Sequence, residues 1–212
     1  MSVLNQMIDT GVVAVMRKTT PDTIIPIAKA LSKGGVKALE ITVETPKVLT
    51  LIEKVKDELG EEVQVGAGTV LDAETARAAL MAGASFVFSP TVRKETIEMT
   101  KRYGAVSVAG AFTPTEILTA YEHGADMIKV FPASVVGPRF FKDVKGPLPH
   151  IPLMPTGGID VDNTADYIQA GAVAVGAGST LVQAADEITE AYLQQLEQKA
   201  TKFVEAVKFA RN

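Results

Sequence analysis

Eight short apolar runs recur along the chain, each preceded by a glycine, and this repeat constrains the fold more than any other feature of the sequence. Successive glycines lie 20 to 25 residues apart, which leaves room for one strand, one helix and two short loops. The glycines are Gly11, Gly35, Gly60, Gly83, Gly104, Gly124, Gly146 and Gly171. Helices often end at a residue in the left-handed conformation, which glycine adopts without a Cβ clash. We therefore expect each glycine to be left-handed and to lead from one helix into the next strand.

The segments between the runs have the apolar spacing of amphipathic helices. Helices are predicted over residues 22–33 and about 187–210, and further helix starts at the capping residues Asp72 and Thr113. Alternating strands and helices imply a parallel sheet, whose strands are buried on both faces and appear as continuous apolar runs. Eight such units predict an α/β protein with a (β/α)8 TIM barrel, formed by residues 1–212 as a single domain. An open doubly wound sheet is the alternative.

Composition excludes several classes of function. A net charge of −4 argues against nucleic-acid binding, and no cluster of lysines or arginines suggests a membrane-surface patch. The absence of cysteine excludes disulfides, thiolate metal sites and a cysteine nucleophile. Neither His123 nor His150 has a partner at metal-ligand spacing, and no signal peptide or long apolar segment is recognisable. We expect a cytoplasmic globular protein without a metal or other cofactor.

Three predicted strands carry an ionisable residue: Arg17 ends the first, Glu40 lies within the second and Lys129 lies within the sixth. Because the inside of a small barrel is packed with apolar side chains, a charge there must be paired or neutralised. One interpretation is a structural ion pair between Glu40 and Lys129. The other is catalytic, because burial favours the free amine, which attacks ketones to form imines. A carboxylate on a nearby strand then serves as the proton carrier.

The ends of the last two strands carry pairs of glycines. The seventh run ends in PTGG, which includes Gly157 and Gly158, and the eighth ends in GAGS, from Gly176 to Ser179. In many barrels the backbone N–H groups after strands 7 and 8 bind a phosphate, aided by the N-terminus of a short helix. Either pair alone is explained by a tight turn, but both pairs in adjacent loops favour a phosphate site. A nucleotide P-loop is not supported, because the chain lacks its Gly-Lys-Ser/Thr sequence.

Eight short motifs follow one another between about residues 8 and 182. They are LEIT around Glu40, GAGTV at 66–70, SP at 89–90, TPTE at 113–116, IKVFPA at 128–133, GP at 137–138, PTGGI at 155–159 and VGAGS at 175–179. Each is weak alone, but in this order they are specific. The chain resembles the 2-keto-3-deoxy-6-phosphogluconate (KDPG) aldolases and their 4-hydroxy-2-oxoglutarate aldolase relatives.

The resemblance implies a metal-independent class I aldolase, a carbon–carbon lyase that works as a homotrimer on a small 2-keto acid. It implies that Lys129 forms an imine with pyruvate and that Glu40 moves protons. It also implies that Thr69 contacts the pyruvyl carboxylate and that Thr156 lies beside the imine. The other implied site residues are Pro90 and Phe131, which line the pocket, and Gly157, Gly158, Gly178 and Ser179, which hold a distal phosphate.

One position departs from the family pattern. Some members have an arginine four residues after the catalytic glutamate, where it binds a substrate carboxylate, whereas this chain has Glu44. Other members have an arginine at the end of the first strand, so this role is assigned to Arg17. This departure leaves the preferred substrate open.

The predicted reaction is cleavage of KDPG to pyruvate and glyceraldehyde 3-phosphate, or of 4-hydroxy-2-oxoglutarate to pyruvate and glyoxylate. One alternative is a phosphate-binding barrel isomerase or a thiamine-phosphate synthase-like enzyme. Such an enzyme needs no isolated lysine in the sixth strand. The other alternative is a barrel that binds a metabolite without turnover.

Overall fold

Strands and helices alternate along the computed structural model, which describes residues 2–60, 62–183 and 187–212. The strands are β1 (Val12–Met16), β2 (Ala38–Thr42), β3 (Gln64–Gly68), β4 (Phe86–Phe88), β5 (Val106–Ala111), β6 (Met127–Val130), β7 (Leu153–Pro155) and β8 (Val175–Ala177). The helices are α1 (Val3–Thr10), α2 (Ile24–Lys33), α3 (Val48–Leu59), α4 (Ala73–Met81), α5 (Lys94–Arg102), α6 (Pro114–Glu122), α7 (Ala133–Lys145), α8 (Val161–Gln169) and α9 (Glu190–Arg211). No helix within these ranges is long and apolar enough to cross a membrane.

The strands form one parallel sheet in the order β7, β6, β5, β4, β3, β2, β1, β8. Its two edges meet at a parallel backbone bridge between Thr156, just after β7, and Gly176 in β8. This bridge brings the first and last strands of the sheet order together. The predicted (β/α)8 barrel is confirmed, and the open sheet is wrong.

Apolar side chains fill the barrel interior. This inner cluster consists of Met7, Val13, Ala38, Phe86, Phe88, Val106, Val108, Met127, Met154 and Ala174. Side chains along a strand alternate between its two faces, so the next inward position after Ala38 is Glu40, and the next after Met127 is Lys129. Both charged residues therefore face the barrel axis, closer to the carboxyl ends of the strands than their apolar neighbours.

The predicted helix starts are confirmed where the sequence offers a capping side chain. Asp72 accepts a hydrogen bond from the Thr75 N–H at 2.6 Å, and α4 begins at the next residue. Thr113 and Glu116 cap each other's backbone N–H groups, with Pro114 in the first turn of α6. Local side-chain chemistry thus decides where these helices begin.

The left-handed glycine prediction is correct at six of its eight positions, where φ lies between 68° and 104°. It is wrong at Gly60 and Gly146, whose φ angles are −60° and −59°. Gly60 lies in a turn in which the N–H groups of residues 62 and 63 donate to the carbonyl of Leu59. After Gly146 the chain takes six further residues to reach β7, so the reversal does not have to occur at the glycine.

Arg211 joins both ends of the chain to the barrel. Its Nη1 donates to the carbonyl of Asp9 at 2.9 Å, and its Nη2 donates to the carbonyls of Ile8 and Val173 at 2.5 and 2.8 Å.

Arg211→Met is expected to lower the free energy of unfolding by about 1–2 kcal/mol, because three carbonyls lose a charged donor at an exposed site. Thermal unfolding would measure this as a drop of roughly 3–6 °C. Lys208→Met is the matched control in the same helix, and an equal effect of the two substitutions would contradict the prediction.

Candidate active site

A cavity of about 280 Å³ opens at the carboxyl ends of the strands. It is lined by Val15, Arg17, Thr69, Pro90, Lys129, Phe131, Thr156, Gly157, Gly158, Gly178, Ser179 and Thr180. The fold therefore brings every site residue predicted from the sequence to one cavity, except Glu40, which lies outside its lining. Val15 and Thr180 were not predicted, although Val15 shares the inward face of β1 with Arg17 and Thr180 directly follows the GAGS motif.

Lys129 presents its amine to this cavity from an apolar wall. The residue is 4% exposed, and all of β6 is buried. Its Nζ lies 5.3 Å from the centroid of the Phe131 ring and 5.6 Å from that of Phe88. The two rings shield the amine from bulk solvent on their sides and leave it accessible from the cavity. A nucleophilic amine in this position is placed to attack a carbonyl carbon of a bound ligand.

Glu40 is completely buried on the opposite side of the barrel, four strands away from Lys129 in the sheet order. Its carboxylate lies against Gly68 of β3, where a Cβ atom would overlap Oε1. Glycine is therefore required at this inward position if the carboxyl group is to keep its place. Neither oxygen of Glu40 has a hydrogen-bond partner among the described residues. Glu40 and Lys129 thus form no direct hydrogen-bonded ion pair, contrary to the structural interpretation of the two charges.

The pKa of the Glu40 carboxyl group is raised above its ordinary value, chiefly because burial disfavours the charged form. The positive charges of Lys129 and Arg17 act in the opposite direction, and the negative charge of Glu44 adds to the increase. A carboxyl group with a raised pKa holds its proton closer to neutral pH. It is therefore suited to both donating and accepting a proton during a reaction.

The loops after β7 and β8 form one wall of the cavity. Gly157 and Gly158 have φ angles of 92° and 76°, which a side chain would strain. Their N–H groups and that of Ser179 donate to no backbone carbonyl within the described ranges. The Thr180 hydroxyl donates to the carbonyl of Ile159 and so ties the two loops together. Free N–H groups from two linked loops can bind an anion.

After β8 the described chain forms a hydrogen-bonded turn, in which the N–H groups of Leu181 and Val182 donate to the Gly178 carbonyl. The short helix expected from other barrels is not formed over residues 178–183. Over residues 178–183 this wall of the cavity is therefore loop backbone, without a helix N-terminus.

Arg17 lies directly after β1, which ends at Met16, one residue earlier than predicted. Its Nη1 donates to Oε1 of Glu44 at 2.7 Å, and both side chains are about half exposed. The residue assigned to carboxylate binding thus already contacts a carboxylate of the protein itself. No sequence pattern predicts this pair, because the two residues are 27 positions apart.

Thr69 and Thr156 both line the cavity, and each has a feature that costs free energy in the folded protein. Thr69 has a φ of 58°, which is strained for a β-branched residue by about 1–3 kcal/mol. The buried Thr156 hydroxyl has no hydrogen-bond partner among the described residues. Strained residues and unpaired buried polar atoms are common at functional sites. Both features support a binding site at this cavity.

Comparison with known proteins identifies the family. Residues 3–198 match the family model described as "Aldolase: KDPG and KHG aldolase". The 2-dehydro-3-deoxy-6-phosphogalactonate aldolase of Escherichia coli (strain K12) is 33% identical over 199 residues, which cover 93% of this chain and 95% of the relative. The chain is also similar in structure to the protein solved as "Native KDPGal structure", with a TM-score of 0.89, 32% identity and coverage of 94% and 95% of the two chains.

A second solved structure is the KDPG aldolase from Legionella pneumophila, which holds pyruvate captured at low pH as a covalent carbinolamine intermediate. It has a TM-score of 0.78 and 25% identity, and the match covers 97% of each chain. The family match spans most of this chain, and the barrel and the cavity at its carboxyl end agree with it. The chain therefore belongs to the KDPG and KHG aldolase family, and it is an aldolase, a carbon–carbon lyase.

Proposed function

We propose that this aldolase cleaves the C3–C4 bond of 4-hydroxy-2-keto acids through an imine on Lys129, releasing pyruvate and an aldehyde. The observation that carries the proposal is the buried amine of Lys129 at the cavity, across the barrel from the buried carboxyl group of Glu40, which has no hydrogen-bond partner among the described residues. The carbinolamine of pyruvate captured in the Legionella relative supports attack of an amine on the ketone as the chemistry of this protein too. A metabolite-binding barrel without turnover requires neither group.

The reaction begins when the Lys129 amine attacks the C2 ketone, and the resulting carbinolamine loses water to give a protonated imine. Glu40, acting through a water molecule, accepts the C4 hydroxyl proton while the C3–C4 bond breaks. The electron pair of that bond moves into the imine, so that an enamine remains and the aldehyde leaves. Proton return to C3 and hydrolysis of the imine then release pyruvate and restore the amine.

Binding is assigned to the residues around the cavity. Thr69 contacts the pyruvyl carboxylate, Arg17 a substrate carboxylate, and Phe131 and Pro90 form apolar walls. Thr156 lies beside the imine. A distal phosphate binds to the loops after β7 and β8 through Gly157, Gly158, Gly178 and Ser179. KDPG then gives glyceraldehyde 3-phosphate, and 4-hydroxy-2-oxoglutarate gives glyoxylate.

The family resemblance also supports a cytoplasmic homotrimer. Light scattering on the purified protein measures the molar mass and so tests the trimer directly.

Borohydride reduction in the presence of pyruvate tests the imine. We expect a stable pyruvyl adduct on Lys129, found by peptide mass mapping as a missed tryptic cleavage at that residue. Lys145 is the internal control, because its amine is partly buried and donates to the carbonyls of Pro149 and Ile151. Folded protein that forms no adduct with ample pyruvate, or labels Lys145 equally, would contradict the proposed function.

A further inference from the structure

The first turn of α7 holds the loop after β7 through two backbone hydrogen bonds. The Ala133 N–H donates to the Thr156 carbonyl at 2.8 Å, and the Ser134 N–H donates to the Gly157 carbonyl at 3.0 Å. A trans peptide group is planar, so its carbonyl and the N–H of the following residue point in opposite directions. The two bonds therefore direct the N–H groups of Gly157 and Gly158 away from α7.

Tyr167 of α8 fixes the same turn of α7 through its hydroxyl group. The hydroxyl donates to the Ala133 carbonyl at 3.0 Å, and the residue is buried. The ring packs edge-on against Phe141, with the two centroids 5.3 Å apart. Burial and the negative charge of Asp160 raise the pKa of the Tyr167 hydroxyl, so the hydroxyl keeps the proton that it donates. Because this hydrogen bond is shielded from solvent, its loss would leave the Ala133 carbonyl without a replacement donor.

These contacts form a continuous chain of hydrogen bonds from α8 to the cavity. The Tyr167 hydroxyl holds the Ala133 carbonyl, which shares a trans peptide group with the Ser134 N–H. The Ser134 N–H holds the Gly157 carbonyl, which shares a trans peptide group with the Gly158 N–H. Hydrogen bonds in such a chain polarise and so strengthen one another. The Gly158 N–H donates to no backbone carbonyl within the described ranges, and it forms the last donor of the chain.

The packing around this chain explains two glycines that the catalytic steps do not use. A Cβ atom on Gly158 would lie only 2.7 Å from Cβ of Ser134, so the turn and the loop are in direct contact. Gly137 has φ and ψ angles of 69° and 175°, which interrupt α7 after its first turn. The GP motif at 137–138 thus sets this turn apart from the rest of the helix. Its orientation depends on the hydrogen bonds to the loop and to Tyr167.

We propose that Tyr167 is a positioning residue for the distal phosphate, whose hydroxyl orients and polarises the Gly158 N–H through two peptide groups. The inference rests on the proposed function and adds a residue that does not line the cavity. The phosphate lies far from the bond that breaks, so its contacts are equally strong in the bound substrate and in the transition state. Weakening them should raise KM and leave kcat unchanged. A ligand without a phosphate should not be affected.

Tyr167→Phe tests the chain, because it keeps the packed ring and removes the hydroxyl. We expect KM for KDPG to rise about three- to tenfold with kcat nearly unchanged, since one hydrogen bond of the chain is lost. KM for 4-hydroxy-2-oxoglutarate, which has no phosphate, should change less than about twofold. The same limit applies to the pyruvate concentration that half-saturates borohydride trapping on Lys129. Steady-state assays of pyruvate release and mass mapping of the trapped protein measure these quantities.

Tyr103→Phe is the matched control. The Tyr103 hydroxyl accepts a hydrogen bond from Arg77 Nε at 2.9 Å, and Tyr103 lies just before β5, at the amino ends of the strands. This substitution should change none of the three quantities.

Equal changes for the phosphorylated and unphosphorylated substrates in Tyr167→Phe, or an unchanged KM for KDPG, would overturn the positioning role and leave the imine chemistry standing. Wild-type protein that traps pyruvate but does not cleave KDPG would overturn the phosphate site, and this inference with it. Wild-type protein that pyruvate does not label would instead overturn the proposed function.

Discussion

Lys129→Ala is expected to lower kcat/KM for aldol cleavage by about 10⁴-fold or more, because imine formation needs an amine at this position. Lys129 has the only primary amine among the described residues that line the cavity. Water cannot replace it, since the imine nitrogen itself takes up the electron pair of the breaking bond. Steady-state assays of pyruvate release from KDPG and from 4-hydroxy-2-oxoglutarate would measure the loss.

Two further variants separate loss of chemistry from loss of folding. Lys129→Met replaces a buried polar group by an apolar one of similar length, so we expect unchanged or higher thermal stability together with lost activity. Lys202→Ala removes an exposed lysine of α9 and should leave both quantities unchanged. If Lys129→Ala retained more than about a tenth of the wild-type kcat/KM, the imine mechanism would be wrong.

The barrel was predictable because its strands are buried on both faces. Each of the eight apolar runs contains a strand, and the regular spacing implies one helix between neighbours. The conformations of Gly60 and Gly146 were not predictable in the same way. They depend on how long each connection is and which residues reverse the chain, and the apolar pattern carries no information about either.

The two reactive groups were predictable for a related reason. A charge at an inward strand position stands out against its apolar neighbours, and both Glu40 and Lys129 are such charges. The sequence could not show that Glu40 lies outside the cavity lining, because its position depends on contact with Gly68 of the neighbouring strand. It also could not show that Glu44 holds Arg17, because that contact depends on the register of β1 and β2 and on loop geometry. Contacts between strand ends appear only once the barrel is closed.

Glu40→Gln is expected to lower kcat/KM for cleavage by about 10²–10⁴-fold, because the amide cannot accept the C4 hydroxyl proton. Pyruvate should still be trapped on Lys129, more slowly, since the amine remains. In the wild-type protein kcat/KM should rise with pH through the raised pKa of Glu40, and the variant should lose this limb. Glu40→Asp is the control, because it keeps a carboxyl group and should keep a limb at reduced activity. Tolerance of Glu40→Gln would favour a barrel that binds ligands without turnover.

Glu40→Gln is expected to lower activity but to raise the free energy of unfolding relative to wild type, by an amount that increases with pH. Burial raises the pKa of Glu40 above 4.5, so the folded protein keeps this proton at pH values where the unfolded chain has released it. The contribution of Glu40 to stability is therefore most favourable below pH 4.5 and decreases as pH rises towards the folded-state pKa. Glutamine has no proton to lose, so the free energy of unfolding of Glu40→Gln relative to wild type should increase over that range. Urea unfolding at intervals between about pH 4 and pH 8 would measure the difference. A difference that stays constant with pH would mean that the carboxyl group titrates normally, and would remove the physical basis for its role as a proton carrier near neutral pH.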